Sequence, residues 1–192
     1  MNKQQFSHDA VLIGRGKQGV VYRISPERCI KIYRDRGHAR QEREAYFRAQ
    51  HSKLIPRLYE AGPDYLIMEY VQGETMYRRL KRKKVMTRQE AGMLIGVLRE
   101  MKRLEFTRCD IALFHILIPE EGGAKIIDLV HAYVKTSDVP RYLFKELERL
   151  RQLDRFVDYV KEMDPELLRD WHNYFLKRSE RYGRLGIVQS ER

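Results

Sequence analysis

The chain has 192 residues, 38 basic and 27 acidic, for a formal net charge of +11. With 43% hydrophobic and 34% charged residues it can build a packed core under a soluble surface, as one domain or two small lobes. Apolar runs such as Ile116-Leu117-Ile118 are far too short to span a bilayer, and Met1-Asn2-Lys3-Gln4-Gln5 has no apolar signal core, so a cytoplasmic location is expected. The two cysteines, Cys29 and Cys109, are then expected as reduced thiols. The positive charge favours an anionic associate: a nucleotide, a nucleic acid, an acidic protein or a membrane surface. Its densest run, Arg78-Arg79-Leu80-Lys81-Arg82-Lys83-Lys84, has no interleaved aromatic beyond Tyr77 and reads as a solvated helix face. Charge permits a nucleic-acid partner without indicating one.

Taken in order, strands are expected at 10–13, 20–25 and 29–33, with a glycine turn between the first two. Residues 38–50 are rich in helix formers and read as a helix. Two more strands, 58–61 and 65–69, flank the Gly62-Pro63-Asp64 turn and complete a five-stranded sheet. After Gly73 the apolar period changes. Thr87-x-x-Glu90 is a capping box, followed by Ala91, Leu94, Ile95, Leu98 and Met101 at helical spacing. A loop through Arg108-Cys109-Asp110 leads to a hairpin of strands 115–118 and 125–127. Pro140 opens a helix with the stripe Leu143, Leu147, Leu150, Val157 and Val160. Asp164 and Pro165 start a last helix carrying Leu168, Trp171 and Phe175, with Gly183 as its cap and 189–192 as a frayed end. The class is α+β, divided into residues 1–70 and 71–192.

The glycine turn is Ile13-Gly14-Arg15-Gly16-Lys17-Gln18-Gly19-Val20-Val21. Glycines at this spacing let backbone N–H groups approach phosphate oxygens. A Rossmann loop has the same spacing but opens into a helix, whereas here a strand follows. Lys31, amid apolar neighbours, can supply a cation for the phosphates. A helix glutamate must hold that lysine; Glu44 is assigned, with Glu42, on another helix face, as the alternative. Asp110 and Asp128 lie 18 residues apart around the hairpin, so both can face one cleft. A carboxylate ending an apolar strand, as Asp128 does, is suited to hold Mg²⁺ against phosphates.

These residues resemble, over roughly 10–135, the protein-kinase-like phosphotransferases. Gly14-x-Gly16-x-x-Gly19-x-Val21 resembles the glycine-rich loop, Cys29-Ile30-Lys31 the lysine strand, and Glu44 the helix-C glutamate. Met68-Glu69-Tyr70-Val71-x-Gly73 resembles the hinge that holds adenine through backbone groups. Arg108-Cys109-Asp110 stands at H-R-D, so Asp110 would be the catalytic base; Ile127-Asp128-Leu129 stands at D-F-G, so Asp128 would hold metal. The resemblance implies a bilobal fold: a five-stranded antiparallel sheet with helix C, then a reduced, mainly helical second lobe. It implies ATP held by Ile13, Gly14, Gly16, Lys17, Gly19, Val21, Lys31, Glu69 and Val71, with Asp110, Lys31 and Glu44 catalytic. His115 stands where asparagine is usual, which weakens Mg²⁺ or shifts preference toward Mn²⁺. A histidine there is similar to the bacterial lipopolysaccharide-core and sugar-acid kinases, while Arg43-Glu44-Ala45 and the small size resemble RIO-like kinases and the kinase subunit of the tRNA threonylcarbamoyladenosine complex. Only 11 residues separate Asp128 from Pro140, too few for an activation segment with an A-P-E close. The expectation is an ATP-dependent transfer to a hydroxyl, with a Ser/Thr protein acceptor favoured; a sugar-type kinase and a pseudokinase without turnover are the alternatives.

Overall fold

The computed structural model describes residues 10–177. They divide into two compact units, 10–74 with 115–135 and 75–114 with 136–177.

The first unit holds strands β1 (Val11–Arg15), β2 (Gly19–Arg23), β3 (Arg28–Tyr33), β4 (Leu58–Ala61) and β5 (Tyr65–Glu69), with helix α1 (Arg36–Ala49) between β3 and β4. The sheet is antiparallel in the order β1-β2-β3-β5-β4, as the strand pattern predicts. β1 slips register between Leu12 and Gly14, which leaves Ile13 on a bulge at the mouth of the glycine turn. Asp35 caps α1 by accepting the His38 N–H at 3.0 Å. The helix buries Ala39, Glu42, Ala45, Tyr46 and Ala49, a stripe at spacings of three and four.

Residues 115–135, which follow the 70/71 boundary in sequence, are bonded into this unit. β7 (Ile116–Pro119) and β8 (Lys125–Ile126) form the expected hairpin, and β6 (Gly73–Thr75) extends it to three strands in the order β6-β7-β8. Gly73 permits that contact, since a Cβ there would collide with the Ile118 carbonyl. The Ile126 N–H donates to the Leu54 carbonyl at 2.8 Å, and Lys125 reaches Glu69 at 3.0 Å.

The second unit is helical: α2 (Met76–Lys83), α3 (Arg88–Arg103), α4 (Arg141–Arg149), α5 (Leu153–Met163), α6 (Pro165–Asp170) and α7 (His172–Leu176). The Thr87–Glu90 capping box starts α3. α2 carries the basic run, and it is not solvated all round, because Met76 and Leu80 are fully buried beneath its cations. Each of the two long helices expected after Pro140 is broken once. Arg151 turns left-handed (φ 56°), and the Gln152 side chain accepts the Met86 N–H at 2.7 Å and donates to the Lys84 carbonyl, so the chain bends between α4 and α5. Trp171 separates α6 from α7 and packs edge-on to Phe144, ring centres 4.9 Å apart. Gly183 and residues 189–192 lie outside the described residues. Among the described residues no helix is long and apolar enough to cross a membrane.

Candidate active site

The glycine turn is closed by the Gly16 N–H donating to the Gly19 carbonyl at 2.9 Å. Its glycines are not equivalent. A Cβ on Gly19 would strike the Ile32 carbonyl, so that glycine lets β2 lie against β3. At Gly16 a Cβ would meet nothing within 4 Å, and at Gly14 only the Val21 side chain at 3.7 Å. Packing in the fold makes no demand for glycine at these two positions. Ile13 and Lys17 are exposed, and Val21 is half-buried on the strand face that carries Lys31.

Lys31 sits on β3 opposite Val21 and Leu66. Its ammonium meets Glu42 Oε2 at 2.6 Å, Asp128 Oδ1 at 3.1 Å and Gln18 Oε1 at 3.5 Å. Burial alone would lower its pKa, but Glu42 and Asp128 outweigh burial and raise it, so the charge is secured.

Glu44 is not the partner. It is exposed, whereas Glu42 lies in the buried stripe of α1 one turn from Ala39 and Ala45. The ion-pair role given to Glu44 therefore passes to the alternative. Glu42 is fully buried and its carboxylate is bonded at both oxygens. Oε2 also accepts the Tyr33 hydroxyl at 2.6 Å, and Oε1 accepts the Leu129 N–H at 2.9 Å. Tyr33 was not singled out from the sequence, although it lies two residues beyond Lys31 and hence on the same strand face.

Asp128 adopts a left-handed backbone (φ 65°), unusual for a non-glycine residue. Burial pushes its carboxyl up, but Lys31, His115 and His131 together hold it below the usual carboxylate range. His115 Nε2 stands 3.4 Å from Asp128 Oδ2. Among the described residues no three His, Cys, Asp and Glu side chains converge as a self-sufficient cation site. Asp128 with the His115 imidazole supplies at most two ligands, so an ion held here would need the rest of its ligands from elsewhere.

At the end of β5, the Glu69 N–H donates to the Arg57 carbonyl at 2.8 Å. Its own carbonyl meets the Cys29 thiol at 3.6 Å, and Val71 follows half-buried. Burial, aided by the Glu69 charge, pushes that thiol up to about 12, so Cys29 stays protonated.

Asp110 belongs to the second unit. Its Oδ1 accepts the Tyr142 N–H at 2.6 Å in the first turn of α4. Burial raises its pKa, opposed by that N–H and by Arg108, Arg141 and Lys145. The following loop is anchored by Glu146, a buried carboxylate accepting the Leu113 N–H at 2.6 Å.

No family model matches the chain. It is 26% identical over 128 residues to a Bacillus subtilis (strain 168) protein named "Putative serine/threonine-protein kinase YrzF", a match covering 64% of this chain and 60% of that relative. The similarity is to a kinase-like protein, of whose length the match spans about three fifths.

Proposed function

We propose that the protein is an ATP-dependent phosphotransferase with a hydroxyl acceptor, built on the two-lobed kinase plan with the glycine-loop sheet as its nucleotide-binding lobe. The observation that carries this is the buried, doubly bonded Glu42 holding Lys31, which in turn contacts Asp128. An ammonium so held is placed for phosphate oxygens, and its fixed geometry costs no reorganisation when charge develops on them. In this reading Gly14 and Gly16 admit the triphosphate to the backbone, with Ile13, Lys17, Gly19 and Val21 around it, and the Glu69 carbonyl and Val71 meet the adenine. Asp128, with His115, would hold Mg²⁺ or Mn²⁺, which supplies charge neutralisation between the phosphates. Asp110 takes the acceptor proton as the acceptor oxygen bonds to the γ-phosphorus. The bond from that phosphorus to the bridging oxygen breaks, and ADP leaves with the electron pair. The name of the Bacillus subtilis relative favours a Ser/Thr protein acceptor.

A nucleotide-binding module without turnover is the second reading. It is favoured by the Tyr142 N–H already occupying one oxygen of Asp110. Calorimetric titration with ATP in Mg²⁺, in Mn²⁺ and in EDTA, followed by a turnover assay, separates the two. Metal-dependent binding lost in Asp128→Asn, with turnover lost in Asp110→Asn, is expected. Binding without turnover selects the second reading, and no binding in any condition sinks both.

A further inference from the structure

Asp110 lies among three cations. Arg108 precedes it by two residues, Arg141 is the first residue of α4, and Lys145 lies one turn further along that helix. All three act electrostatically on the Asp110 carboxyl. None of the three forms an ion pair among the described residues. The first turn of α4 contains no acid, so Arg141 faces the positive end of the helix dipole, where a cation is disfavoured.

Between these cations stands Tyr142, 54% exposed. The Arg108 guanidinium is 5.8 Å and the Lys145 ammonium 5.9 Å from the centre of its ring, while its N–H holds Asp110. An exposed aromatic ring beside cations that have no carboxylate within ion-pair distance, one of them at the disfavoured end of a helix dipole, breaks local rules at the carboxylate assigned as base. Such breaches concentrate at functional sites. All four residues belong to the second unit.

We propose that Arg108, Arg141, Lys145 and Tyr142 form an acceptor subsite selecting a hydroxyl carried beside an anionic group, a carboxylate or a phosphate. The inference rests on Asp110 being the base. A guanidinium takes either anion through paired N–H donors, and the ammonium adds a point charge. The Tyr142 ring offers a flat surface for the apolar side of a sugar or peptide unit. A cationic acceptor would meet like charge and be turned away. A serine flanked by acidic residues and a sugar acid share this chemistry.

The test uses the full chain with ATP and Mg²⁺. Serine peptides with Glu, Ala or Lys flanks form one arm, and a sugar acid against its neutral sugar the other; each arm identifies its own source of the anion. Acidic acceptors are expected to exceed neutral ones about tenfold in kcat/KM, with basic ones lowest. Arg141→Glu with Lys145→Glu should invert that order and leave the KM for ATP unchanged. Turnover that ignores acceptor charge overturns the subsite while leaving the phosphotransferase reading intact. Turnover surviving Asp110→Asn, or no turnover of any acceptor, overturns the base assignment and the subsite together. Folding of each variant is checked by circular dichroism, and Arg108→Ala, outside the helix, provides a second route to lost acidic preference.

Discussion

Glu42 receives three hydrogen bonds on two oxygens, from Lys31, Tyr33 and the Leu129 N–H, and all are buried or partly buried. Glu42→Gln would exchange two acceptor oxygens for one acceptor and one donor. The new amide would point a donor at the Lys31 ammonium and the Tyr33 hydroxyl or at the Leu129 N–H. If the pair serves phosphoryl transfer, kcat/KM should fall about 100-fold, the scale of removing one preorganised electrostatic partner. Glu44→Gln, on the exposed face, should stay within about twofold of wild type, since surface substitutions seldom reach buried networks. Equal losses in a turnover assay of both variants would refute the assignment. The distinction was available in the sequence. Ala39, Ala45, Tyr46 and Ala49 recur at three and four residues, and Glu42 falls in that phase while Glu44 does not. The intervening Arg, Gln and Glu mask the alanine stripe. Asp128's contact with Lys31, by contrast, joins residues 97 apart and had no local signature beyond motif order.

Strand–turn–strand around the glycines was legible at the level of elements because short runs of branched and aromatic residues, Val11-Leu12-Ile13 and Val20-Val21-Tyr22, flank the turn. Which glycine the fold requires was not legible, since that depends on where the Ile32 carbonyl lies. Gly19→Ala drives a Cβ into backbone that cannot yield, and should cost on the order of 2 kcal/mol. Gly16→Ala meets open space and should leave stability within about 0.5 kcal/mol. Under the proposed function its effect should appear instead in nucleotide affinity, because a methyl group would then stand where phosphate oxygens approach the N–H groups. Urea unfolding and ATP titration of the two variants check this. A destabilised Gly16→Ala with normal ATP binding would return that glycine to a folding role. The helix breaks were hidden for a related reason. Apolar stripes run on through Leu150 and Trp171, while the bend at Arg151 is set by Gln152 bonding to Lys84 and Met86, 68 and 66 residues away.

Charge acts over the whole molecule, and its carboxylates pull in two directions. Glu90 is buried, which alone would raise its pKa. The Thr87 N–H, Lys83 and Arg79 outweigh burial and hold it at about 2, against an ordinary 4.5. Asp128 and Asp164 are depressed as well, Asp164 chiefly by its bond from Arg99. Groups lowered by folding contribute stability that is full above the ordinary carboxylate range and is lost as pH falls through the folded values. Asp110 and Glu146 are raised by burial, so the folded state holds their protons more tightly and their protonation favours it. Acidification from neutrality therefore relieves this second pair first, and only below about 4.5 does it remove the support of the first group. Neutralising the 27 acids also drives the net charge well beyond +11, adding self-repulsion that salt will screen. Stability followed by denaturant titration at successive pH values should pass through a shallow maximum and then decline between pH 4.5 and about 2. Glu90→Gln should lose about 2 kcal/mol at neutral pH, the scale of a hydrogen bond to a charged group, and show a shallower acid decline. An unchanged slope would place the acid sensitivity elsewhere, in Asp128 or Asp164. Asp164→Asn, which removes the carboxylate that receives Arg99, would then be the variant whose slope flattens.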